Sequence, residues 1–119
     1  MAAGTPWRIG LATVDITPPL GLWMAGYAAR KEPARGIALP LHAKAMAVAD
    51  TSGSLAVIVT LDVLGLTAPV ADRIAAAVTR RHGLPRARLL LCPSHTHCGP
   101  IVNDQLAIAY DLAPSQWED

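Results

Sequence analysis

Apolar and polar positions alternate first from Trp7 to Asp15, where Trp7, Ile9, Leu11 and Thr13 fall on one side with smaller or polar residues between them. That period of two predicts a half-buried first strand. Pro18 and Pro19 follow, removing consecutive backbone donors and ending any pairing. From Thr17 to Pro40 no strand or helix period is sustained; the segment reads as a binding loop or as a surface excursion. Alternation returns from Leu41 to Asp50, with Leu41, Ala43, Ala45, Ala47 and Ala49 on one face. After the turn cluster Thr51-Ser52-Gly53-Ser54, the run Leu55 to Leu61 is almost continuously apolar. The two segments predict a hairpin whose second strand is buried on both faces.

Thr67 to His82 carries the helical signal. Thr67 is placed to cap, Pro69 falls in the first turn, and Val70, Ile74, Ala77 and Val78 make a stripe. Arg80, Arg81 and His82 suit the negative end of the helix dipole, and Gly83 and Pro85 stop the helix. Arg88 to Cys92 is a second buried-strand candidate, and strand, helix, strand in this order predicts a parallel pair with a right-handed crossover. The fold class expected is mixed α/β: a β-hairpin plus a βαβ unit, forming an incomplete part of a larger sheet domain. Gln105 to Tyr110 reads as one or two helical turns. Ser115 and Glu118 make a capping box for a helix that has no body before Asp119, a pattern expected of a truncated domain.

Composition narrows the partners. The 119 residues suffice for one domain, and 52% are hydrophobic, which excludes a disordered chain. Ten basic against nine acidic residues give a formal charge of +1, with no electrostatic case for nucleic acid or an anionic membrane. Met1 to Gly10 lacks the pattern of a signal peptide, and no apolar stretch suits a transmembrane span. A cytoplasmic, reducing setting is therefore expected, in keeping with two cysteines that do not form a secreted framework. The sequence does not fix the oligomeric state.

Chemistry is expected where parallel strands end, because ligands of α/β units bind beyond the carboxyl ends of the strands. Asp62 follows one such strand; His95 and His97 follow the other. Two positions apart in extended chain, the imidazoles would share a side and could approach one metal ion, with Thr96 and Cys98 facing the opposite way. His-x-His pairs also arise by chance, and an Asp after a strand is often only a cap. His42 and His82 read as structural or solvated, Cys92 as a core residue, and Cys98 as a packing residue. Trp7, Trp23 and Trp117 are too scattered to stack bases. Neither a P-loop nor a GxGxxG motif is present.

Four stretches, in order, carry a family resemblance: Ile9 to Thr17, Met24-Ala25-Gly26-Tyr27-Ala28, the strand end Leu61-Asp62, and Ser94-His95-Thr96-His97-Cys98-Gly99-Pro100. Together they resemble the N-terminal portion of the neutral/alkaline, non-lysosomal ceramidases, whose last motif reads THTHSGP or THTHAGP. The resemblance implies that residues 1–119 are the N-terminal part of a catalytic domain several times longer. It implies hydrolysis of a lipid amide such as ceramide, with zinc as cofactor. His95 would be a zinc ligand, and His97 would act in catalysis in the same active site; Asp62 is a further catalytic candidate by its place at the strand end, and Gly26 and Tyr27 are candidates for substrate binding. The other ligands (a second His, a Glu and a Tyr) and a serine would lie outside this chain, leaving the segment inactive alone. Ser94 replaces the usual Thr and Cys98 the usual Ser or Ala, changes small in volume. Ala25 is an insertion relative to the family's Met-Gly-Tyr. The competing expectation is a non-enzymatic α/β module that binds a metal or regulates a partner.

Overall fold

The computed structural model describes residues 7–102; the helical readings at 105–110 and 115–118 lie outside them. Four strands, β1 (Arg8–Asp15), β2 (His42–Ala49), β3 (Leu55–Leu61) and β4 (Leu89–Pro93), form one sheet in the order β1-β2-β3-β4. The first three are antiparallel neighbours, and β4 runs parallel to β3. The helix α1 (Ala68–His82) makes the crossover between the parallel pair, so the hairpin and the βαβ unit are both present.

Each connection has a local cause. Asp50 Oδ1 accepts hydrogen bonds from the amides of Ser52 and Ser54, both at 2.9 Å, closing the β2–β3 turn as Asx turns do. The carboxyl of Asp50 is held below its ordinary value by the Ser52 side chain first, then by the Ser54 amide. The helix is capped differently from the sequence expectation. Thr67 is buried and makes no side-chain cap bond; its carbonyl instead receives the Ala71 amide at 2.9 Å. At the other end Gly83 adopts the left-handed conformation and donates its amide to Thr79, as expected of a C-terminal glycine. One 3-10 turn, Arg86–Arg88, then feeds β4.

The core is small and lies under α1. Ala75, Leu84 and Leu89 are buried, with Leu55, Val57, Val59, Val78 and Leu91 against them. Within this chain three strands are less covered than their patterns predict. β3 is covered on one face only: Val57 and Val59 meet the core, while Ala56 and Thr60 on the opposite face are exposed. β4 alternates likewise, with Leu89 buried and Leu90 55% exposed. β1 is exposed along its whole length, Ile9 at 63% and Leu11 at 79%, because α1 covers the other side of the sheet's order and β1 is its far edge. An apolar run reports that a strand can be buried, but the layer that buries it must also exist.

The corner after β1 is pinned by a short polar chain. The Thr17 amide donates to Asp15 Oδ1 at 2.7 Å, and the Thr17 hydroxyl oxygen accepts the Leu41 amide at 2.8 Å. The Thr17 hydroxyl, and secondly its amide, hold the Asp15 carboxyl below its ordinary value. A depressed carboxylate stabilises the fold above the unfolded-state pKa, and that contribution is lost as pH falls through the folded-state value. Asp15→Asn is therefore expected to lower the thermal midpoint at neutral pH, and the gap from the parent should close in acid. Thermal melts across pH check this; a gap that persists unchanged below the carboxylate range contradicts it.

Candidate functional site

The rim at the carboxyl ends of β3 and β4 is built by reciprocal backbone bonds. Ser94 donates its amide to the Leu61 carbonyl at 2.8 Å, carrying the parallel pairing one step past β4. Asp62 is tied to the start of β2 twice: its amide donates to the His42 carbonyl at 3.0 Å, and its Oδ2 accepts the His42 amide at 2.9 Å. One carboxylate oxygen of Asp62 is thus committed to main chain, which is the capping role that aspartate after a strand often takes.

His95 and His97 do come together, but by another route than an extended segment. His95 has φ 58°, a left-handed conformation that is uncommon for a non-glycine residue and is often found where function fixes the chain. The strand has ended at Pro93, so side-chain alternation does not reach His95. The two imidazole centroids are nevertheless 5.3 Å apart with their planes at 63°. His95 is exposed and His97 half-buried.

One contact fixes the protonation pattern of His95. Its Nδ1 lies 2.8 Å from the Leu64 carbonyl oxygen. A carbonyl can only accept, so Nδ1 carries the hydrogen, and in the neutral ring Nε2 presents its lone pair. A histidine whose far nitrogen donates to a backbone carbonyl is the usual state of a metal-binding imidazole. Leu64 belongs to the loop after β3, so the two rim loops position the ring jointly.

A second loop closes over His97. Trp23, Met24 and Ala25 run antiparallel to residues 99–101. The Ala25 amide donates to the Gly99 carbonyl at 2.9 Å, Met24 bridges Pro100, and the Ile101 amide donates to the Trp23 carbonyl at 3.0 Å. This ribbon lays Gly26 directly on His97. A Cβ at Gly26 would sit 2.5 Å from His97 Cγ and 2.8 Å from its Cα, and Gly26 has φ +100°. Only glycine meets both demands. Tyr27, although 53% exposed, sets its ring edge-on to the His97 ring at 4.9 Å. Gly26 and Tyr27, singled out as substrate-binding candidates, are thus neighbours of His97.

The residues from 17 to 41, which carry no regular pattern, wall a cavity of about 530 Å³. Leu20, Met24, Ile37 and Leu39 supply much of an apolar lining, and Asp62, Thr96 and Cys98 contribute from the rim. Thr96 and Cys98 line this cavity, and Cys98, expected as a packing residue, is exposed. Among the described residues no three His, Cys, Asp or Glu side chains are grouped to hold a metal ion. Those present fit a share of a metal shell: His95 offers an oriented Nε2, and His97 stands beside it.

The family model for neutral/alkaline non-lysosomal ceramidase, N-terminal, matches residues 7–114. The chain belongs to this family. Among the relatives of this ceramidase-family chain, neutral ceramidase from Oryza sativa subsp. japonica is 29% identical over 82% of it. Neutral ceramidase 2 of Arabidopsis thaliana is 33% identical over 79%. The chain spans 13% of the length of each of these relatives. Its fold is similar to that of neutral ceramidase from Pseudomonas aeruginosa, with TM-score 0.73 and 27% identity over 81% of this chain and 16% of that one. A structure of a ceramidase complexed with C2 aligns with TM-score 0.74 and 26% identity over the same shares. No helix among the described residues of the ceramidase-family chain is long and apolar enough to cross a membrane.

Sequence reasoning passed over two participants. The Leu64 carbonyl has no signature, since any residue supplies one. Arg30 reads in sequence as one loop charge among several, yet its guanidinium donates to the Ala25 carbonyl at 3.0 Å and to the His97 carbonyl at 2.7 Å. A separation of 67 residues hides that contact from any local pattern.

Proposed function

We propose that this chain forms part of the catalytic domain of a zinc-dependent amide hydrolase of the ceramidase kind, which cleaves an N-acylated lipid or a related small amide. The observation that carries the reading is the His95 ring, held through Nδ1 by the Leu64 carbonyl so that Nε2 keeps its lone pair, with the His97 ring 5.3 Å away at a strand-end rim. The chemistry zinc supplies when bound is Lewis-acid polarisation of a carbonyl oxygen and acidification of water. In this reading His95 is one of its ligands, and the remaining donors come from beyond the described residues.

The chain's other side chains take complementary tasks. His97 accepts a proton from the attacking water or delivers one to the departing amide nitrogen, as a general acid–base imidazole does. Asp62 holds the rim through His42 and lines the cavity. Gly26 admits close approach of main chain to His97, and Tyr27 flanks the ring that meets substrate. The neighbouring apolar cavity suits a hydrocarbon portion of the substrate, because such lining favours apolar groups at roughly 25 cal/mol per Å² buried.

Metal removal tests the proposal. Dialysis of the intact protein against a strong chelator is expected to abolish hydrolysis of a short-acyl ceramide, and one equivalent of zinc should restore it. Full activity in the metal-free protein, or a protein that never carries zinc, overturns the reading.

A further inference from the structure

The ribbon and the glycine contact bring two loops together but do not by themselves fix the His97 peptide or the Tyr27 ring. One side chain does both. Arg30 donates Nη1 to the Ala25 carbonyl, one residue before Gly26, and Nη2 to the carbonyl of His97 itself. Its guanidinium carbon also lies 5.1 Å from the centroid of the Tyr27 ring, within cation–π range. The Tyr27 ring in turn stands edge-on to the His97 imidazole at 4.9 Å. Arg30 is half-buried, so these bonds are shielded in part from water.

We infer that Arg30 is a positioning residue for His97: one guanidinium ties the His97 main chain to the Ala25 carbonyl and seats the Tyr27 ring that flanks the imidazole. The assignment uses the fork geometry of arginine. Two carbonyls on different loops are met by two nitrogens of one rigid plane, while the face of that plane remains for an aromatic ring. A lysine ammonium carries the charge but has no plane, so it can keep one carbonyl bond and loses the matched pair. The His95 ring is held separately through Leu64, so the metal-binding side of the site does not depend on Arg30.

The sequence gives Arg30 three neighbours with which to be confused: Lys31, Glu32 and Arg35. Glu32 and Arg35 pair with each other and are both largely exposed. The structure therefore separates a solvated ion pair on the loop surface from a single cation turned inward on the histidine loop.

The test uses the intact protein with Arg30→Ala and Arg30→Lys, and three readouts. Placement is read from the ring signal of His97 in protein carrying ¹³C-labelled histidine, assigned with His97→Gln. Zinc per chain and the kinetics on a short-acyl ceramide are measured on the same samples. In Arg30→Ala the His97 signal should move as the Tyr27 ring leaves, zinc content should hold, and kcat should fall about 10²-fold with KM little changed, the scale of a misplaced catalytic group. Added methylguanidine should restore part of that kcat and methylamine should not. Arg30→Lys should fall between parent and alanine in both signal and rate, and it carries the test if the alanine variant fails to fold.

An unmoved His97 signal in either variant overturns the inference. So does a loss of rate that lysine fully repairs, or one that appears as KM alone. The kinetic arm rests on the hydrolase reading proposed above. If the parent protein binds no zinc and cleaves no amide, that reading fails, while the His97 signal still decides the role of Arg30.

Discussion

His95→Ala is expected to empty the intact protein of zinc and lower kcat/KM by about 10³-fold or more, since Lewis-acid assistance contributes several kcal/mol to a transition state and each ~1.4 kcal/mol is tenfold. The His95 ring is held by main chain. Its Nδ1 hydrogen goes to the Leu64 carbonyl, and the ring is exposed, so little core packing is lost with it. Histidine itself bears the cost of φ 58°, and alanine is found in that conformation less often than His, Asn or Asp. Asparagine tolerates that backbone better but offers no imidazole. His95→Asn therefore separates the two effects: it should fold like the parent and still lack the metal. Metal analysis and thermal melts of the pair check this, and a His95→Asn protein that retains stoichiometric zinc removes His95 from the ligand set.

Gly26→Ala should be nearly as damaging without touching any proposed ligand. The added methyl would lie within 2.5–2.8 Å of His97 Cγ, Cβ and Cα, and backbone cannot yield as a flexible side chain end can. The left-handed conformation at φ +100° adds a further penalty of order 1–3 kcal/mol for a non-glycine residue. Relief requires the 23–27 loop or the histidine loop to withdraw, which breaks the Ala25–Gly99 bond and moves the imidazole. Activity is expected to fall about 10²-fold or more from misplacement alone. Zinc should remain bound, because the His95 ring is held separately by the Leu64 carbonyl. A Gly26→Ala protein with parental kcat would show that the contact is looser than these distances imply.

How much of this was legible beforehand depended on the range of the interaction. The hairpin, α1 and the parallel pair were readable because their causes are local: alternation in His42–Ala49, the proline and glycine at the ends of α1, and the short run of Leu89–Pro93. The site was located for the same reason, as His95 and His97 directly follow β4. Within this chain β1, Ala56 and Thr60 of β3 and Leu90 of β4 are exposed, since an apolar pattern shows that a face can be buried and not which layer covers it. The conformation of His95 was also missed. Position after a strand predicts extended chain, whereas His95 is left-handed with its ring bonded to the Leu64 carbonyl. Arg30 was unreadable because its partners lie at Ala25 and, far along the chain, at His97.

That distance has a kinetic meaning. Bringing the guanidinium to the His97 carbonyl closes a loop of 67 positions, and most of the sheet must stand before the closure is favourable. During synthesis the histidine segment emerges after the loop that will clamp it, so the clamp is expected to form late, with the Ala25–Gly99 and Trp23–Ile101 bonds. It is correspondingly suited to open first, by partial release of residues 23–30, while α1 and the strands beneath it keep their hydrogen-exchange protection.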